Sequence, residues 1–234
     1  MGYGYGYYGI DLTYLILVVP ALLISLYAQF KVKSAFSYYS QERCISGLTG
    51  AEAARRILLA NGITDVSIEH ISGSLTDHYS PNEKVIRLSD DVYDVPSIAA
   101  VGVAAHECGH AVQYAKGYAP IKLRNAIIPA TQIGSMLSFP ILLVGLMLNF
   151  QALVLVGIGL FSLVTLFQLI TLPVEFDASH RALAIIDERG MLTPDEYAGA
   201  KKVLTAAALT YVAALLTSLA QLLRLLLLFT RRRD

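Results

Sequence analysis

His106-Glu107-Cys108-Gly109-His110 sets two imidazoles four residues apart, with a carboxylate directly after the first. On a helix, positions i and i+4 share a face, so both rings can reach one ion. Glu107, beside the first ring, can reach a water on that ion. It can take the water's proton as general base and pass it to a leaving amine. This pattern implies metal-assisted hydrolysis of a peptide bond, with zinc as the metal and one ion per chain. Such a site needs a third protein ligand and an open position for water. Glu175 is the first candidate, ahead of Asp177, His180, His78 and His70.

These residues must be delivered by helices. The motif helix can be capped by Asp94 or Ser97 and runs to about Lys116, before Gly117. Its first half, Ile98 to Ala105, is small and apolar and must be buried. Pro173 can open a second helix that reaches about Glu188 and stops at Gly190, which puts Glu175 in the first turn. Between the two lies an uncharged stretch from Ala126 to Leu172, broken near Asn149-Phe150-Gln151. Each half is about 20 residues, enough to cross a membrane as a hairpin. Pro129 and Pro140 predict a kink in its first helix.

Two more stretches read as membrane spans. One runs from about Ile10 to Phe30, after an uncharged Gly/Tyr run from Met1 to Tyr8 that suits an interfacial anchor. It has no basic n-region, so it reads as a retained anchor and not as a cleaved signal. The other runs from about Ala206 to Phe229. Gln221 and Arg224 lie in it, and Arg231-Arg232-Arg233 follow. Arg224 is close enough to the end to snorkel. Lys31, Lys33, Lys122, Arg124, Arg181, Lys201 and Lys202 all fall on one side by this topology, which makes that side cytoplasmic; the terminal arginines run against the rule.

Composition agrees. Of 234 residues, 55% are apolar and 15% charged, with no net charge. Disorder is excluded, and there is no basic excess to recruit nucleic acid. Two cysteines, Cys44 and Cys108, give no disulfide framework. The polar segments, about 34–125 and 173–204, share one side of the membrane. In the first, Thr49 to Glu52 is a capping box for a helix that stops at Asn61-Gly62. Strand-like runs follow at Val66 to Ile71, Leu75 to Tyr79 and Val85 to Leu88, with a turn at Ser80 to Glu83. In the second, Thr193-Pro194-Asp195-Glu196 reads as a cap, an N1 proline and a reciprocal glutamate.

The stretches Leu75 to Tyr79, Ala104 to Gln113 and Pro173 to Ser179 carry a resemblance. A HExxH motif, a transmembrane hairpin and a Glu on the following helix resemble the prenyl-protease and HtpX type of membrane metallopeptidase. The finer match, from about 30 to 220, is to the YugP-like neutral zinc metallopeptidase family. The resemblance implies that His106, His110 and Glu175 hold zinc and that Glu107 is the base. In the prenyl-protease pattern an Asp follows the ligand Glu by four residues. Here that place is Ser179, so the carboxylate that orients a ligand histidine must come from elsewhere, such as Asp177, or be absent.

Further residues are weighed beside these. His78, Tyr79, His180 and Arg181 are candidate donors to an oxyanion or supports for the ligands. Val85 to Leu88 is either an edge strand that pairs with an extended peptide or an interior hairpin strand. Cys108 reads as a small structural residue. The expected architecture is mainly α, a multi-pass membrane protein with about four transmembrane helices. Beside them stands a small α+β zincin-like catalytic part containing a short β-hairpin or sheet. Its regions are 1–33 anchor, 34–125 catalytic, 126–172 hairpin, 173–204 third-ligand and capped helices, and 205–234 final span and basic tail. The partners expected are a peptide or protein substrate, membrane-associated or not, and the bilayer. A metal-binding membrane scaffold with little turnover is the alternative, though a scaffold has no use for a base beside its metal. A small transporter or bis-histidine haem protein is a third class, and histidines at i and i+4 cannot ligate opposite faces of one haem.

Overall fold

The computed structural model describes residues 12–231. The Gly/Tyr run from Met1 to Tyr8, the expected start of the first span at Ile10, and Arg232-Arg233 lie outside the described residues. After a π-helical turn at Tyr14–Val18 come α1 (Val19–Gln41), α2 (Gly50–Ala60), β1 (Ser67–His70), β2 (His78–Ser80) and β3 (Val85–Leu88). Then follow α3 (Ile98–Ala115), α4 (Ala119–Met147), α5 (Gln151–Glu188) and α6 (Pro194–Arg231). Among the described residues, four helices, Tyr14–Gln41, Ala119–Met147, Gln151–Glu188 and Pro194–Thr230, are long and apolar enough to cross a membrane.

The chain divides into two compact units. One holds Ala28–Ile127 and Leu169–Val212, and the other holds the remaining described residues. The first unit carries the small sheet, with strand order β1-β3-β2. β1 runs parallel to β3, with Ser67 opposite Val85, and β2 runs antiparallel, with Tyr79 opposite Ile86. Val85, Ile86 and Leu88 are buried, so β3 is the interior strand, and the edge-strand option for Val85 to Leu88 is excluded. The free edges belong to β1 and β2. The Thr49 capping box forms at α2, with both reciprocal bonds present. α2, β3 and α3 close a core around Leu48, Ile57, Ile86, Leu88, Val101 and Val112.

The second unit is held differently. Glycines let its helices touch: a Cβ on Gly134 would lie 2.7 Å from the Leu160 carbonyl, and one on Gly145 2.8 Å from the Val154 nitrogen. Hydroxyls add polar contacts, with Ser25 Oγ 2.9 Å from Thr217 Oγ1. α4 ends at the expected break, where Asn149 takes φ +51° and the Phe150 amide donates to the Gly145 carbonyl at 2.8 Å.

Two expectations change. Pro173 opens no helix: α5 continues through it from Gln151, so Glu175 stands mid-helix. α4 also holds its two prolines, Pro129 and Pro140, inside one helix, as expected of a single span. A proline removes one intrahelical bond, and packing of the flanking turns can hold the helix across that gap. Val174 and Ala178, just beyond Pro173, are fully buried. The capped helix at Thr193 and the last span are one helix, α6. Its cap forms as expected, the Thr193 amide donating to Glu196 at 2.8 Å.

Candidate metal centre

α3 begins at Ser97, whose hydroxyl accepts from the Ala100 amide at 3.1 Å. It crosses α5 very closely. A Cβ on Gly109 would meet the Ala178 carbonyl oxygen at 2.5 Å, so only glycine fits the fourth position of the HExxH motif. This approach carries Glu175 to the two histidines.

His106 Nε2 lies 3.2 Å and His110 Nε2 3.6 Å from the same oxygen, Glu175 Oε2. The three donor atoms lie within 4.8 Å of one another. Zinc–ligand distances of about 2.0–2.2 Å in a tetrahedron separate donor atoms by about 3.3 Å. The two spacings from Glu175 Oε2 are close to this, and two imidazoles with one carboxylate are a zinc-type donor set. The site is buried, with Glu175 2% and His110 9% exposed. Glu107 is buried beside them, and its charge acts on His110. Burial alone would lower the His110 pKa. Its bond to the Glu175 carboxylate, helped by the charge of Glu107, outweighs this and raises the pKa.

A second layer fixes the rings. Gln113 is fully buried, and its amide nitrogen donates to the Val174 carbonyl and to Asp177 Oδ2, both at 2.8 Å. Its oxygen therefore faces His110 Nδ1 at 3.0 Å and accepts its proton. That leaves the His110 Nε2 lone pair for a metal. Ser179 Oγ stands 3.1 Å from His106 Nδ1, and its hydroxyl can accept that proton when Nε2 of the ring faces a metal. Asp177 thus supports His110 through an intervening amide, and it is itself paired with Arg181 Nε at 2.6 Å. On the far oxygen of Glu175, Oε1, Arg124 Nη1 sits at 3.3 Å. The phenol of Tyr211, on α6, is near enough to act on this carboxylate.

The structure brings together His106, Glu107, His110 and Glu175 and sets Asp177 and Arg181 behind them. The other candidates stand apart from the three-ligand group. His70 pairs with Asp90 at 2.7 Å on an exposed strand end. His78 is exposed, its Nδ1 2.9 Å from the Thr76 carbonyl. Tyr79 packs edge-on against Tyr114. His180 is exposed on a groove of about 540 Å³ that Lys31 and Phe176 also line. Cys108 is buried, its thiol 3.6 Å from the Ala54 carbonyl. Burial first, then the charge of Glu107, pushes its pKa well up, so it is no nucleophile.

The sequence reading gave no part in the site to Gln113, Arg124 or Tyr211. Gln113 had a signal, since it lies one turn after His110 on the same helix face. Arg124 was visible only as a topological charge, and nothing marked Tyr211.

Fold and site together define a membrane protein with a HExxH-plus-Glu centre. Residues 14–230 match the family model described as "Putative neutral zinc metallopeptidase", and the chain belongs to that family. It is 49% identical over 223 residues to the "Putative membrane protease YugP" of Bacillus subtilis (strain 168), covering 95% of this chain and 99% of that protein. No solved structure matches it significantly.

Proposed function

We propose that the chain is an integral membrane zinc metalloendopeptidase that hydrolyses peptide bonds with water as nucleophile and Glu107 as general base. The observation that carries this reading is the meeting of His106 and Glu175, 69 residues apart, at 3.2 Å on one buried carboxylate oxygen, with Glu107 next in the chain. Zinc held by His106, His110 and Glu175 would polarise the scissile carbonyl and make the attacking water acidic. Gln113 and Ser179 contact Nδ1 of the two rings and so aim both Nε2 atoms inward, where a metal would take their lone pairs. Glu107 takes the proton of the water as its oxygen attacks the carbonyl carbon. It returns the proton to the nitrogen as the C–N bond breaks. Water is the nucleophile, so no acyl-enzyme forms and no side chain need be regenerated.

The substrate class is peptide or protein, and the bilayer is the second partner. We place the site on the cytoplasmic side, because Lys31, Lys33, Lys122, Lys201 and Lys202 flank the spans on that side. Metal content of detergent-purified wild type and Glu175→Ala, by elemental mass spectrometry, tests the ligands. About one zinc in the wild type and much less in the variant is expected. Peptide hydrolysis by Glu107→Gln tests the base. We expect zinc to be retained and kcat to fall by about 10²–10⁴. Wild-type rates in Glu107→Gln would exclude the mechanism, and a zinc-free wild type would favour a scaffold.

A further inference from the structure

The two oxygens of Glu175 have different neighbours. Oε2 faces both imidazoles, at 3.2 and 3.6 Å. Oε1 faces Arg124 Nη1 at 3.3 Å. Arg124 lies in the first turns of α4, before the apolar run, where a cation at a membrane boundary has an obvious topological use. Its environment does not suit that use alone. A topological arginine spreads into water or headgroups, but the Arg124 side chain is 26% exposed against a Glu175 side chain that is 3% exposed. Its Nε is buried with no hydrogen-bond partner among the described residues. A guanidinium gives up hydration at such a place only for a strong partner.

The consequence concerns how the carboxylate ligates. A carboxylate with a free second oxygen can rotate and chelate through both. That would fill the position a hydrolytic centre leaves open for water. A cation on Oε1 blocks the rotation and draws charge from the ligating oxygen. We propose that Arg124 is a positioning residue of the metal centre: it holds Glu175 Oε1 so that Oε2 alone serves as ligand and the fourth position stays open. The proposal rests on the peptidase reading above, and it gives the hairpin's first helix a part in the site.

The test is made on full-length protein in detergent. Zinc affinity is measured by chelator competition, and the visible spectrum of the cobalt-substituted protein reports coordination number. Arg124→Gln is expected to weaken zinc about 10–100-fold. Its cobalt spectrum should shift from the four-coordinate to a five-coordinate form. In a Glu175→Gln background the same change should add no further loss, because Arg124 acts through that carboxylate. Arg124→Lys should give a smaller but measurable loss, since a point charge on a flexible stem fixes one oxygen poorly. If Arg124→Gln does not fold, Arg124→Lys is judged by the same readouts. Unchanged affinity and spectrum in a wild type that binds zinc and cleaves peptide would overturn this proposal and leave the peptidase reading intact. An additive loss in the Glu175→Gln background would overturn it too. A wild type without zinc would defeat both.

Discussion

In the membrane-spanning unit, large apolar side chains point outward: Leu143 is 60%, Met147 77% and Phe150 56% exposed. In the site-bearing unit, Ala178, Ala182 and Ile186 are fully buried. α5 runs through both regimes. Lipid can cover the first set, while the second must be covered by the chain itself. Polar groups divide the same way. Ser25 and Thr217 use their hydroxyls to join two helices, whereas the Gln113 amide, the Ser179 hydroxyl and the Arg124 guanidinium contact His110, His106 and Glu175. One helix can therefore anchor at one end and present Glu175 at the other, because its surroundings change while its backbone does not.

The largest effect that sharpens this contrast is in packing. Ile186→Ala should cost about 2–5 kcal/mol, through lost burial and the cavity left behind. Leu143→Ala should stay within about 0.5 kcal/mol, because lipid tails solvate either state of that position alike. Thermal unfolding of the two variants in the same detergent compares them directly, and equal shifts would erase the distinction. Next come the supports of the ligand rings. Gln113→Leu should weaken zinc about 10–100-fold by chelator competition. Ser179→Ala removes one neutral hydrogen bond, worth about 0.5–1.5 kcal/mol, and should cost only a few-fold. A reversed order would mean that His106 and not His110 carries the critical support.

The smallest effect lies on the exposed strand edge. The Gly73 amide, and then His70, hold the Asp90 carboxyl below its ordinary value. A folded-state pKa below the unfolded one gives stability that is present above about pH 3.9 and lost as pH falls through the folded value. Asp90→Asn should flatten that acid limb of the melting curve and leave zinc binding unchanged. An unaltered limb would remove Asp90 from the acid response.

Much of the site was legible in the chain. The HExxH spacing needs only a helix, and α3 forms one with its Ser97 cap. Glu175 followed from chemistry and from a hairpin that returns the chain to the same side. The local rules failed at Pro173. Read as a helix start, it placed Glu175 at an N-terminus, whereas burial of Val174 and Ala178 carries α5 straight through. They failed again at Val85 to Leu88, because a strand's apolar pattern does not say which neighbours flank it. Arg124 is the clearest case. Its charge and its place before a span were plain, and its partner 3.3 Å away on another helix was not.

The sequence by itself determined the motif, the four apolar helices, the caps at Thr49 and Thr193, and the membrane class, since each depends on residues within a few turns of one another. Only the tertiary structure decided that Gln113 relays Asp177 to His110, that Ser179 stands where a carboxylate was expected, and that Arg124 divides the two oxygens of Glu175. Those are contacts between helices, set by how closely Gly109 lets α3 approach α5. Local periodicity carries no term for that distance.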